Sequence, residues 1–306
     1  MGTASAKECH LSRVGSIDFT IVNDTLLVPV SFDGHSAWMI LDTADIATVM
    51  QSDYATRFGL KVGKLPTASE INFGPARIKQ FSSVVSFQVG PVRFGKAEFL
   101  LVPGWRAPTA ATDQPTVGIL GLNAFSTVDF ELDFVDHKLN LYSQDHCPGQ
   151  VVFWSDTYSS APLTRGPLGN IYFPIELEGK KIEATFSTTF AGNSLTTDVT
   201  RSLYGFDEKS TDIETDNDGS GRPVAHYRAM TLTANGFQVK NARIQLLTST
   251  PAHCTLGYGP GSAAMHAGCI GGEAPLKLGL NVAQHLHLYF ATKEKTLYFT
   301  DAAAKK

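Results

Sequence analysis

Two stretches decide the fold: "VPVSFDGHSAWMILDTADIATVM" at residues 28–50 and "FPIELEGKKIEATFSTTFAGNSL" at residues 173–195. They align without a gap. Pro29 meets Pro174, Gly34 meets Gly179 and Thr43 meets Thr188, at an offset of 145 (42 to 187). The offset persists through "FQVGPVRFGKAEFLLV" (87–102) and "LTANGFQVKNARIQLL" (232–247). "LGLN" then recurs at 120–123 and 278–281, where the offset is 158 (121 to 279), so the second copy carries 13 more residues (158 less 145) between these blocks. A repeat of this size, in constant order, means two homologous units rather than chance similarity.

Each unit reads as β. "TLLVPVSFDG" and "IYFPIELEGKKIEATF" alternate apolar and polar residues with period two, and Asp-Gly and Glu-Gly mark hairpin turns. "FELDFVDHKLNLY" and "LHLYFATKEKTLYF" each predict two strands around a polar turn. Helical patterns are few and short, as in "SDYATRFGL" and "TDVTRSLYGF". The expected architecture is mostly β: two homologous barrel lobes, over 14–150 and 165–300, joined by a turn-rich linker at 151–164 and facing each other across a cleft. Clefts of that kind are preferred ligand sites.

Composition narrows the function classes. The chain has 306 residues, 43% hydrophobic and 18% charged, enough for two domains with substantial cores. A net charge of −4 and the lack of any basic run argue against nucleic acid as a partner. No apolar stretch approaches the roughly 18 residues of a membrane-spanning helix, so no membrane partner is expected. The first residues, "MGTASAKECHLSRVG", contain no apolar core of a signal peptide, which leaves a cytoplasmic protein or a mature form whose leader was removed.

The chemistry centres on "ILDTA". Asp42 follows an apolar strand and would sit on a loop at the lobe surface. In a pseudo-twofold molecule, equivalent loops meet at the axis. Two carboxylates brought together there would share a proton and act as acid and base toward a water molecule. Apolar-apolar-Asp-Thr, a flap-like hairpin, and "GILGLN" before a short helix resemble the aspartic protease superfamily, of the retropepsin-like and pepsin-like types, as a tandem two-lobed chain of bacterial type. The resemblance implies an acid-protease fold, catalysis at Asp42, no cofactor, no metal and a peptide or protein ligand. It also implies that Thr43 and Thr188 lock the two central loops together, with Ala44 and Thr189 in supporting positions.

Two departures from the family pattern stand out. Ala44 replaces glycine, and a methyl group there would crowd the centre or shift the loop. Ser187, in "FSTTF", occupies the position of the second aspartate, and a hydroxyl cannot hold and return a proton as a carboxylate does. Substitute acids are poor: Asp45 lies where the chain turns back into the lobe, and Asp129 and Asp133 read as charges on a strand surface. Ser187 as a nucleophile would need a base such as His226, His253 or His266, which the sequence does not place.

"TASEINFGPARIKQF" and "NDGSGRPVAHYRAM" occupy flap positions, with Phe73, Phe81 and Tyr227 as candidate peptide contacts. The spacing of His253, Cys254, His266 and Cys269 suits zinc poorly. A Cys254–Cys269 disulfide stapling the insertion, and a Cys9–Cys147 disulfide tying the ends of lobe 1, are the expected pairings. Both would place the protein in the periplasm or outside the cell. A monomer that binds peptide with little or no hydrolysis is the expected function. The alternative is an active aspartic endopeptidase using Asp42 and an activated water.

Overall fold

Hairpins with left-handed turns start each lobe. Asp33 and Gly34 (φ 48° and 93°) join the strands Thr25–Phe32 and His35–Leu41, and Glu178 and Gly179 (φ 51° and 74°) join Ile171–Leu177 and Lys180–Phe186. Two successive positive φ angles give the turn whose twist matches paired strands, and glycine takes the second at no steric cost. The computed structural model describes residues 10–44, 47–66, 71–73, 76–107, 114–166, 170–207, 209–211, 213–217, 221, 223–247, 253–254, 269–270 and 274–304.

Strands β1 (Arg13–Asp18), β2 (Thr20–Val22), β3 (Thr25–Phe32), β4 (His35–Leu41), β5 (Val49–Gln51), β6 (Lys61–Lys64), β7 (Ile71–Phe73), β8 (Ala76–Ile78), β9 (Gln80–Val89), β10 (Val92–Val102), β11 (Thr116–Leu120), β12 (Val128–Asp133) and β13 (Lys138–Ser143) make the first half. The second half has β14 (Ser159–Pro162), β15 (Thr164–Arg165), β16 (Ile171–Leu177), β17 (Lys180–Phe186), β18 (Asn193–Thr196), β19 (Ile213–Asn217), β20 (Pro223–Ala234), β21 (Phe237–Leu247), β22 (His253–Cys254), β23 (Cys269–Ile270), β24 (Leu276–Leu278), β25 (Leu286–Ala291) and β26 (Thr296–Asp301).

Each lobe closes into a six-stranded barrel. In lobe 1 the ring runs β3-β4-β11-β5-β10-β9 and closes by pairing β9 with β3. In lobe 2 it runs β16-β17-β24-β18-β21-β20 and closes by pairing β20 with β16. The strand directions repeat as well: β4 with β11 and β5 with β10 are parallel, as are β17 with β24 and β18 with β21. The fold is mostly β, as the sequence pattern requires. Helices are short: Ser52–Arg57 and the 3-10 turn Leu122–Phe125 in lobe 1, and Thr197–Val199, the π-helical turn Thr200–Tyr204 that ends at Gly205 (φ 74°), and Leu280–Ala283 in lobe 2.

A third sheet joins the lobes, in the order β1-β13-β12-β25-β26-β14. Its centre is the antiparallel pair β12–β25, where Phe130 stacks on Phe290 at 4.5 Å. β14 takes the place in the second half that β1 takes in the first, so the segment expected as a linker supplies a sheet edge and belongs to the second repeat.

One face of this sheet is closed by Val151 and Trp154, which leaves polar side chains of β12 and β25 inside. Asp129, expected as a surface charge, is fully buried, and its carboxylate meets His146 Nε2 at 2.6 Å and accepts from the Thr292 backbone N–H at 2.8 Å. Glu131 is buried beside it. It meets His287 Nε2 at 2.5 Å and accepts from Tyr142 Oη at 2.7 Å and Asn140 Nδ2 at 2.9 Å. Trp154 stacks on the His287 ring at 4.1 Å. Asp133 stays at the turn, accepting the N–H groups of Val135 and Asp136.

Burial, and then the charge of Glu131, push the Tyr142 hydroxyl well above its ordinary range. Tyr289 is raised by burial and Asp129, and Tyr298 by burial and its hydrogen bond to Glu294. Burial, followed by Tyr227 and Glu178, pushes Tyr204 from 10.0 up to about 12. The folded state therefore holds these protons after the unfolded chain has released them. Their contribution to stability is complete below about pH 10 and falls as pH rises through 12. In an alkaline titration, phenolate absorbance of these residues is expected to appear together with the loss of β circular dichroism. A phenolate signal complete near pH 10 in folded protein would refute this.

Cys147 is disulfide-bonded. Cys9, its expected partner, lies outside the described residues. Cys254 and Cys269 are directly opposed in the β22–β23 ladder, the register their expected pairing needs; their side chains lie outside the described set. His266 and Asp45 also lie outside it, as does the side chain of His253.

Candidate functional site

The two central loops leave β4 and β17 at equivalent points. The Asp42 backbone N–H donates to Leu120 O at 3.0 Å, and the Ser187 N–H donates to Leu278 O at 2.8 Å. Each loop is thus pinned to the strand carrying the Leu-Gly-Leu-Asn motif. The glycine of that motif has a packing reason in lobe 2: a Cβ on Gly279 would lie 1.9 Å from Gly192 O and 2.6 Å from Ala191 O. The N–H of Gly121 donates to Thr48 Oγ1 at 3.1 Å, and that of Gly279 donates to Asn193 Oδ1 at 3.2 Å. Thr48 and Asn193 are repeat equivalents.

Across the axis the loops are tied directly. Thr43 Oγ1 donates to Phe186 O at 2.7 Å, and Thr188 Oγ1 donates to Leu41 O at 2.6 Å. Thr188 Oγ1 also accepts from the Thr43 N–H at 3.3 Å. Both threonines are buried. A second exchange flanks this one: Thr25 Oγ1 donates to Thr189 O at 3.4 Å, and Asn170 Nδ2 donates to Ala44 O at 3.1 Å. Thr25 and Asn170 are again 145 residues apart. Buried bonds of this kind contribute about 0.5–1.5 kcal/mol each, and losing one partner costs more. Thr25 and Asn170 were missed in the sequence, because nothing local marks a residue that reaches into the opposite lobe.

Asp42 and Ser187 occupy matched positions with different chemistry. Asp42 is half-buried, and its Oδ1 accepts from the Ala44 N–H at 2.9 Å. Ser187 is buried, and its Oγ accepts from the Thr189 N–H at 3.5 Å and lies 2.9 Å from Thr189 Oγ1. The serine oxygen thus stands where one carboxylate oxygen would stand, and a threonine hydroxyl fills space beside it. Ala44 lies outside the positive-φ residues, so its backbone carries no left-handed strain.

Residues 28–124 match the aspartyl protease family. That span covers lobe 1 from β3 through the Leu-Gly-Leu-Asn motif. With the two closed barrels, it makes this a two-lobed, acid-protease-like fold. No curated relative matches the sequence.

The other candidates fall in two groups. Phe73 and Phe81 belong to one apolar cluster of lobe 1, where Phe73 meets Trp105 edge-on at 5.7 Å and Phe81 crosses Gly63. Phe73 lies on β7, which pairs with β8 as an antiparallel hairpin. Tyr227 lies on the matching β19–β20 hairpin, but its ring packs on Phe206 at 4.7 Å and its hydroxyl donates to Glu178 at 3.3 Å. It is used inside lobe 2. His226 meets Asp216 at 3.1 Å and Arg243 at 3.2 Å. Among the described residues, no group of three or more His, Cys, Asp or Glu side chains is arranged to hold a metal ion, and no helix is long and apolar enough to cross a membrane.

Proposed function

We propose that this chain binds extended peptide, or a peptide segment of a protein, in the cleft between its lobes and hydrolyses it slowly or not at all. The observation carrying this reading is Ser187 Oγ, engaged with Thr189 at the position equivalent to Asp42. Water attack on a peptide carbonyl needs one group to take a proton and another to deliver one to the oxygen and then to the leaving nitrogen. Asp42 supplies the first. The Ser187 hydroxyl does not ionise in the working pH range, so it cannot hold and return a proton as a carboxyl group does. The scaffold that would hold an extended ligand, with cross-linked loops and two hairpins, is kept. The ligand class is peptide rather than nucleic acid, in line with the net charge of −4, and the repeat supplies both lobes in a single chain, in line with a monomer.

The test is a peptide-library assay from about pH 3 to about pH 7, scored for binding and for cleavage, with Asp42→Asn as control. The expected result is saturable binding with no cleavage above the control. Cleavage abolished by Asp42→Asn would establish the endopeptidase reading instead.

A further inference from the structure

The two barrels close unequally. In lobe 1 the closing strands pair at Val30↔Val89, Ser31↔Gln88 and Phe32↔Phe87, and beyond them the Gly90 N–H donates to Pro29 O at 2.7 Å. In lobe 2 the pairing is Glu176↔Thr233 and Leu177↔Leu232. Ile175 and Ala234, the equivalents of Val30 and Val89, do not pair, and no bond joins the Asn235 N–H to Pro174 O. The seam of the second barrel is therefore open at one end.

Three local differences open it. The left-handed residue of the turn after the closing strand is Gly90 (φ 53°) in lobe 1 and Gly236 (φ 99°) in lobe 2, one place further on, so the turn type changes. Asn235 Nδ2 donates to Ser160 O at 3.1 Å, which holds that turn on β14. Ile17, fully buried and packed on Gly90, has a smaller counterpart: Ile17 pairs with Leu139, and Ala161 pairs with Leu297, the repeat equivalent of Leu139.

The opened seam forms a groove of about 340 Å³, lined by Pro174, Ile175, Glu176, Lys181, Ala234 and Asn235. Small-molecule sites span about 300–1,000 Å³. Antiparallel strands alternate bonded and non-bonded pairs, so Pro174 and Asn235 hold the next bonded position after Glu176 and Thr233, and Pro174 O and the Asn235 N–H are directed into the groove. Glu176 and Lys181 are exposed and directly opposed across β16–β17. Among the described residues, neither makes an ion pair or a side-chain hydrogen bond.

We infer that this seam binds a small zwitterion, an amino acid or dipeptide with an apolar side chain. The carboxylate would meet Lys181 and the Asn235 N–H, the ammonium group Glu176 and Pro174 O, and the side chain Pro174 and Ala234. The groove offers one cation, one anion, a backbone donor and a backbone acceptor, and a ligand carrying a single charge would leave half of them unmatched. The site makes no use of the central loops, so it is independent of the peptide-binding reading above.

Amide NMR of the full chain tests it, with glycyl-leucine as the probe. Saturable shifts are expected at Asn235 and Thr233, with Asp42 and Ser187 unmoved. N-acetyl-glycyl-leucine and glycyl-leucinamide, each lacking one charge, should bind about tenfold more weakly. Lys181→Met should abolish the advantage of the free carboxylate, and Glu176→Gln that of the free amine. Asn235→Gly with Gly236→Pro copies the Gly90–Pro91 turn of lobe 1 and is expected to close the seam and abolish binding; the two single variants serve if it does not fold. No shift at Asn235, equal affinity for capped and uncapped probes, or a charge preference that survives both single variants would overturn the site. Shifts confined to the central loops would place the dipeptide in the cleft instead, which also overturns it.

Discussion

A Ser187→Asp, Thr189→Gly variant is expected to gain peptidase activity, inhibited by pepstatin, with an acidic optimum and a rate at least ~100-fold above the parent, the usual range for a positioned acid–base group. The backbone is already arranged for it. The Thr189 N–H that reaches Ser187 Oγ matches the Ala44 N–H that reaches Asp42 Oδ1. A carboxylate at 187 would gain the same donor and face Asp42 across the cross-linked threonines, where two acids share one proton. Thr189→Gly removes the hydroxyl that lies 2.9 Å from Ser187 Oγ and opens room for water. Ala44→Gly should add little, because Ala44 carries no backbone strain. Thermal melting verifies folding. A folded variant with no pepstatin-sensitive cleavage would mean that the loops do not present their side chains to a common water.

His287→Leu should be among the most destabilising single changes in the chain, at about 1–3 kcal/mol, the cost of leaving the buried Glu131 carboxyl group without one of its hydrogen-bond partners. Glu131 is 1% exposed and would keep only its Tyr142 and Asn140 donors. Trp154 would also lose the ring on which it stacks. Because Glu131 lies on β12 and His287 on β25, the loss falls on the sheet that unites the lobes. Chemical denaturation measures it. Adding Glu131→Gln replaces the carboxyl group left short of a partner by a neutral amide and should recover part of the loss. A cost under about 1 kcal/mol for His287→Leu, the level of an exposed pair, would show that water reaches this site.

Much of the molecule was legible in the chain. The repeat, the period-two strands and the Asp33–Gly34 and Glu178–Gly179 turns together specify two equivalent β lobes, because hairpin geometry and strand alternation are local properties. The central loops were legible too, since Asp42, Thr43, Ser187 and Thr188 sit inside the longest block of the internal repeat. The match of lobe 1 to the aspartyl protease family agrees with that reading.

Other features depended on which surfaces meet. Asp129 and His287 lie in strands whose alternation suggests one wet face, yet both are buried. The wet face is dry because Val151 and Trp154 fold over it, and the same segment continues into β14 at the sheet edge. Nothing local in "SDTYSSAPLTRGPLG" distinguishes that role from a linker. Likewise Thr25, Asn170 and the Tyr227 ring acquire their partners only on tertiary packing. The sequence by itself determined two β lobes and an aspartate in one central loop matched by a serine in the other, because strand period and residue chemistry are written along the chain. Tertiary structure alone decided which polar groups are dehydrated and which side chains reach the opposite lobe, because burial is a property of contacts between segments distant in sequence.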